Sequence, residues 1–177
     1  LSKQNFVVKN TKISVTLVEK QVSSITNTAH YLQSGFMQYW LIKSEPDAYS
    51  WETFVKEGKT AWTGVRNYQA RNNLRAMTKG DLALYYHSNI GKEVVGIAEV
   101  IKTAYQDPTT DDPNWVCVDV RPKQAFTSPV SLEAMKAEPL LEQMGLLRQS
   151  RLSVVKLTVD EFNRICAMGM EKHTSKK

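Results

Sequence analysis

The sequence predicts an α+β fold, a mostly antiparallel or mixed sheet curled toward a barrel, with helices at its edges. Three observations predict it. Short apolar runs rich in Val, Ile and Tyr recur through the middle of the chain, bounded by turn residues. They are joined by hairpin-length gaps, with few crossovers long enough for parallel βαβ units. Helix-capping patterns appear only between or after these runs.

The elements follow in order. Tyr39–Lys43 (YWLIK) reads as a first strand, and Pro46–Asp47 as a turn. Ser50 caps a short helix, WETFVKE, that stops at Gly58. Asn67 caps a second helix. At helical spacing its Ala70, Leu74 and Met77 share one face, and Tyr68, Arg71, Asn72 and Arg75 the other. Asp81–His87 is a strand, Ser88–Lys92 a hairpin loop, and Glu93–Thr103 the return strand. The stretch 108–113 is a turn-rich loop. In Trp115–Pro122, Val116, Val118 and Val120 alternate with Cys117 and Asp119. Ser131–Lys136 and Leu140–Met144 suggest helical turns, and Arg151–Leu157 a strand. Thr158 and Glu161 spell a capping box for a last helix, with Gly169 as its stop.

These elements set the domain expectation: 37–170 as one domain, 171–177 as a basic tail, and 1–36 as an extension. The extension is rich in Ser, Thr, Asn and Gln, and its apolar residues keep no sustained period. It reads as disordered or loosely docked, or as non-native upstream sequence, with Met37 as a natural start. A targeting arm fits less well, because an amphipathic arginine-rich pattern is missing.

Composition narrows the function classes. With 177 residues, 42% hydrophobic and 23% charged, the chain is that of a globular protein with a sizeable core. No apolar run is long enough to span a bilayer, and no secretory signal is evident, so a cytoplasmic, nucleoid-associated or nuclear site without membrane contact is expected. Cys117 and Cys166 form no CxxC pair. His30, His87 and His173 are too scattered for a metal site, so no metal and no cofactor are expected. The net charge is +5, but Lys3, Lys9, Lys12 and Lys20 face only Glu19 in the first 36 residues. The rest is mildly basic, and affinity for a polyanion has to come from a local patch.

That patch is 59–80, where Lys59, Arg66, Arg71, Arg75 and Lys79 occur with no acidic residue. Trp62, Gly64, Arg66 and Asn67 sit just ahead of the second helix. Arginines there suit phosphate or a carbonyl edge, and an exposed tryptophan suits stacking. An ordinary solvated helix face and a core tryptophan explain the same residues. Lys43–Pro46 (KSEP) and Tyr85–Asn89 (YYHSN) gather polar groups at strand ends, where binding residues and plain turn formers are equally at home.

Together these stretches resemble an EVE domain of the PUA-like group, a family that includes the thymocyte nuclear proteins and is similar to YTH domains. The carriers are YWLIKSEPDAYSWE, AWTGVRNYQARNNLR, GDLALYYHSN, VVGIAEVIKTAYQD and RLSVVKLT, spread in family order over roughly 38–168. The resemblance implies a PUA-like curled mixed β-sheet or barrel with a pocket between the barrel and its flanking loops. It also implies recognition of a modified base, chiefly a modified cytosine in DNA, by base flipping or single-strand capture. Lys43–Ser44, Ala61–Trp62 and Gly96–Glu99 correspond to pieces that recur in YTH domains. On that correspondence Trp62 is the aromatic wall of a base pocket.

The expected division of labour follows. Trp62 stacks on the base, with Tyr86 or Trp115 opposite. Ser44, Asn67 and Ser88 read the base edge. Lys43, Arg66, Arg71 and Arg75 hold phosphate, and Arg151 and Ser153 close the pocket. His87 makes binding depend on pH. Glu45, Val65 and Tyr68 complete the candidate ligand-contacting set. Discrimination of one methyl is expected to be about 1–3 kcal/mol. The partner is nucleic acid carrying a modified base, DNA in preference to RNA, with a nuclease, if any, supplied by another chain. Rival readings are an RNA-binding module, a nucleoside-binding protein and a weak enzyme. The enzyme reading lacks a GxSxG elbow, a Walker loop, paired carboxylates or metal spacing.

Overall fold

A computed structural model describes residues 37–171. The expectations for 1–36, and for the tail beyond Glu171 with His173, lie outside the described residues.

The described residues form six strands: β1 Tyr39–Ser44, β2 Thr60–Ala61, β3 Leu82–His87, β4 Glu93–Gln106, β5 Val116–Ser131 and β6 Val154–Leu157. Their order in one sheet is β2-β5-β4-β3-β1-β6. β1 runs parallel to β3 and the other pairs are antiparallel. The sheet is therefore mixed. It curls but does not close, since β2 and β6 each pair on one side only.

Among the described residues five α-helices surround it: α1 Trp51–Glu57, α2 Tyr68–Ala76, α3 Leu132–Ala137, α4 Gly145–Arg148 and α5 Val159–Met170. The caps follow the chemistry of the sequence. The side chains of Ser50, Asn67, Ser131 and Thr158 each accept an N–H from the first turn of their helix. Glu161 returns the bond to the Thr158 N–H, which completes the capping box. Gly58 ends α1 at φ 73°, a left-handed conformation suited to glycine.

The core is one continuous apolar cluster. Trp40, Leu41, Ile42, Leu84 and Val154 come from the strands, and Phe54, Leu74 and Ile165 from the helices. Asp81 is buried within it, yet its carboxylate is satisfied. It accepts from Trp40 Nε1, from the Gln38 and Thr78 backbone N–H groups and from the Thr78 hydroxyl.

Two expectations are corrected. β5 does not end at Pro122 but continues to Ser131. The register against β4 shifts between Ile97 and Ala98, beside Pro122, so a bulge accommodates the missing N–H. Gly169 does not stop the last helix, which runs to Met170. A β-carbon there would lie 2.1 Å from the Phe126 ring, so this glycine permits close packing of α5 on β5. Both faces of β5 are covered near its start, where Cys117 is as buried as Val118 and Val120.

Candidate functional site

A cavity of about 380 Å³ opens where the two margins of the sheet approach each other. One side is the segment Thr60–Arg66, from β2 into the loop ahead of α2. The other is Lys43 and Ser44 at the end of β1, with Ser153 just before β6. Tyr49, from the turn after β1, completes the wall.

The fold fixes each side. The Trp62 N–H donates to the Val118 carbonyl at 2.8 Å, which extends the β2–β5 ladder by one residue. Its indole is only 8% exposed and stands edge-on to Tyr85, with ring centroids 5.6 Å apart. Gly64 turns the loop at φ 78°. Its N–H donates to Asp107 Oδ2 at 2.9 Å, and Arg66 Nη1 donates to the same oxygen at 2.7 Å. Arg66 Nη2 donates to the Thr109 hydroxyl at 2.8 Å. Burial by itself would raise the Asp107 pKa. Bonds from Arg66, Thr109 and Gly64 outweigh burial and hold its carboxyl far below the usual range.

On the opposite side, the Lys43 N–H donates to the Ser153 carbonyl at 3.0 Å. Lys43 Nζ donates to the Ser150 carbonyl at 2.9 Å, and burial lowers its pKa. The hydroxyls of Ser44 and Tyr85 both donate to the Tyr49 carbonyl, at 2.9 and 2.7 Å. The Tyr49 hydroxyl donates to Glu57 Oε2 at 2.6 Å. Burial, then this bond, pushes the Tyr49 pKa up to about 12.

The structure thus brings together Lys43, Ser44, Trp62, Val65, Arg66 and Ser153 of the predicted set. It does not bring the others to this cavity. Tyr86 and Ser88 line a separate cavity of about 270 Å³. His87 is buried beneath α1, where its Nε2 accepts the Trp51 N–H at 3.2 Å. Burial lowers the His87 pKa, against the opposing pull of Glu52 and Glu93. Asn67 spends its side-chain oxygen on the Ala70 N–H as the cap of α2. Glu45 is exposed, and its carbonyl accepts from Ala48 and Tyr49.

Tyr68 is 67% exposed and leans on Trp115, with ring centroids 5.2 Å apart. The Arg71 guanidinium lies 4.8 Å from the Tyr68 ring centre and also donates to Asn72 Oδ1. Arg75 donates to the Asn114 carbonyl. Trp115 is therefore part of an aromatic and cationic ledge instead of a wall of the cavity. Arg151 is exposed and borders a neighbouring groove with Asn67.

Sequence reasoning missed Tyr49, Thr60 and Asp107. Tyr49 lies five residues beyond Ser44, a spacing with no periodicity to flag it. Thr60 belongs to a strand of two residues, below the length at which alternation carries a signal. Asp107 meets Arg66 across 41 residues of sequence, a separation at which nothing local pairs them.

Among the described residues, no cluster of three or more His, Cys, Asp or Glu is arranged to hold a metal ion. None of their helices is long and apolar enough to cross a membrane. Cys117 is buried, and burial raises the pKa of its thiol.

This architecture recurs in known proteins. The chain is 34% identical to thymocyte nuclear protein 1 of Mus musculus, with 86% of this chain and 84% of that protein covered. A crystal structure of an Agrobacterium tumefaciens protein is 50% identical and superposes with a TM-score of 0.74, covering 75% of this chain and 92% of that one. Human THYN1, solved in complex with 5-methylcytosine-containing DNA, is 30% identical with a TM-score of 0.72, covering 77% of this chain and 99% of that one. The EVE domain profile matches residues 38–168, and the chain belongs to the EVE domain family.

Proposed function

We propose that the protein is a DNA-binding module that captures a modified cytosine, 5-methylcytosine first among the candidates, in the cavity beside Trp62. The observation that carries this reading is the position of the cavity. It opens at the margin of an EVE sheet, and its lining combines Trp62 and Tyr49 with the polar residues Lys43, Ser44, Arg66 and Ser153. The complex of human THYN1 with 5-methylcytosine-containing DNA supports the ligand class, because this chain matches 99% of that structure's length.

The residues suggest the mechanism. A base held in a duplex hides both faces, so capture needs a flipped nucleotide or a single strand, at a cost of a few kcal/mol. Stacking on an aromatic face returns about 1–3 kcal/mol per base. Trp62 supplies one wall, and Tyr49 takes the second place expected of Tyr86 or Trp115. Ser44, Ser153 and the backbone of Thr63–Val65 face the base edge, and Lys43 balances phosphate charge at the rim. Arg66 shapes the loop through Asp107 and leaves part of its guanidinium for the ligand.

Two groups that an enzyme could enlist are otherwise engaged. His87 is an acceptor for the α1 backbone, and Cys117 is packed in the core with its thiol kept protonated. The protein is thus a reader in this scheme, and any strand cleavage belongs to a separate nuclease.

The test is a mobility-shift and tryptophan-fluorescence titration at fixed low salt. The probes are matched oligonucleotides carrying cytosine, 5-methylcytosine or 5-hydroxymethylcytosine, as DNA and as RNA. The expected outcome is a several-fold preference for one modified DNA probe. Equal binding to every probe would leave only a basic surface, and tighter binding to RNA would move the function to that partner.

A further inference from the structure

Three depressions meet at the turn 148–153. The cavity beside Trp62 is bounded by Lys43 and Ser153. The cavity that holds Tyr86 is bounded by Lys43 and Ser150. A third, a groove of about 390 Å³, is bounded by Ser150, Arg151 and Leu152 on one bank and Asn67 and Gln69 on the other. Lys43 is common to the first two and Ser150 to the last two, and the Lys43 Nζ to Ser150 carbonyl bond joins them. The first cavity and the groove also adjoin along both banks, through Arg66–Asn67 and Leu152–Ser153.

The lining of the groove selects for an anion. Arg148 and Arg151 are its charges, accompanied by amides and a serine, and no Asp or Glu borders it. Arg151 is exposed and has no hydrogen-bond or ion-pair partner among the described residues. Arg148 uses Nε and Nη2 on the neutral Gln143 side chain, so its charge is not cancelled. Forked guanidinium donors with amides beside them are the chemistry that grips a phosphodiester. Arg71 and Arg75, although basic, border none of the three depressions.

We propose that this groove holds the sugar-phosphate backbone beside the captured base, with Arg148 and Arg151 on the flanking phosphates. The strand then passes over the 148–153 turn, whose Ser153 end borders the base cavity. This inference rests on the modified-base reading of the Trp62 cavity and adds the path of the strand to it.

The test is the slope of log affinity against log salt for a 5-methylcytosine oligonucleotide, with preference over the cytosine probe measured alongside. Arg151→Ala, Arg148→Gln and their combination are compared with Arg75→Ala. Each lost phosphate contact lowers the slope by about 0.7–0.9. The double variant is expected to lose nearly twice that, with base preference kept. Arg151→Lys keeps the charge and is expected to keep the slope. A parental slope in the double variant, with base preference intact, would overturn the strand path alone. A parent protein that shows no preference for a modified base would overturn the pocket reading and this inference with it.

Discussion

The indole of Trp62 and the phenol of Tyr85 meet edge-on, with centroids 5.6 Å apart at 84°. Tyr85 stacks in turn on Phe54, lies edge-on to Trp51, and donates its hydroxyl to the Tyr49 carbonyl. The aromatic core of the sheet therefore sets the orientation of the tryptophan at the cavity and the position of the turn opposite it. A stacking wall held in this way loses little freedom when a ligand arrives.

Trp62 has both a packing role and a proposed binding role, and two substitutions separate them. Trp62→Ala removes a large packed ring and is expected to cost about 3–5 kcal/mol of stability. Trp62→Phe keeps a stacking face with less area. Among folded variants, oligonucleotide affinity is expected to fall in the order Trp, Phe, Ala, while the salt slope stays constant. Denaturant midpoints and salt titrations measured in parallel check this. Equal affinity for folded Ala and Trp forms would remove Trp62 from the pocket.

Asp107 organises the loop that carries Gly64 and Arg66. Its carboxylate is buried while the Arg66 side chain is 38% exposed, so the charge-assisted bonds matter more than the bare ion pair. Asp107→Asn is expected to cost about 2–3 kcal/mol. The folded pKa lies below the unfolded value near 3.9. The stabilisation is therefore fully present above that value and is lost as pH falls toward the folded one. Urea midpoints between pH 2 and 5 are expected to be less pH-dependent in Asp107→Asn than in the parent.

His87 couples pH to the stability of the fold. Its folded pKa is lowered below the usual value near 6.5, and its Nε2 must be unprotonated to accept the Trp51 N–H. Stability is therefore complete above about pH 6.5 and declines as pH falls toward the folded pKa. His87→Gln retains an acceptor oxygen, and its melting temperature is expected to lose this dependence between pH 5 and 7. His87→Leu orphans the helix N–H and is expected to cost about 1–3 kcal/mol.

How much of this was legible depends on range. Asn67, Ser50 and the Thr158–Glu161 pair declared their caps because a cap is settled within three residues. β1 and β3 were readable within a residue at each end, since both are continuous apolar runs. The second half of β5 was not, because Pro122 and Pro129 look like breakers until a bulge in the partner ladder absorbs one of them. The same limit applied to the site. Lys43, Ser44 and Trp62 lie in motifs that stand out locally, and the structure gathers them. Tyr86, His87 and Ser88 follow one another in sequence, yet a strand points neighbours to opposite faces, so Tyr86 and Ser88 line one cavity while His87 turns away from it, and none of the three borders the cavity beside Trp62. Arg66 with Asp107 is a long-range pair, and only the packing of the β4 end against the α2 loop reveals it.

Tyr49 is the residue whose role the sequence hid, and its two parts are separable. Tyr49 lines the cavity together with the Trp62 segment, and its hydroxyl donates to Glu57 at 2.6 Å. If the ring is the second wall, Tyr49→Phe keeps the stacking face and loses the hydroxyl's bonds, that to Glu57 at 2.6 Å first and that to Thr60 beside it. Its affinity for the modified oligonucleotide is expected to match the parent. Loss of the bond to Glu57 is expected to cost stability about 0.5–1.5 kcal/mol, less if water replaces the partner. Tyr49→Ala removes the face and is expected to weaken binding by about 1–3 kcal/mol, roughly ten- to a hundred-fold, without altering the salt slope. Thermal melts and fluorescence titrations of the three proteins distinguish the cases. Parental binding by a folded Tyr49→Ala protein would leave Trp62 as the sole aromatic contact and require the base to stack on one face only.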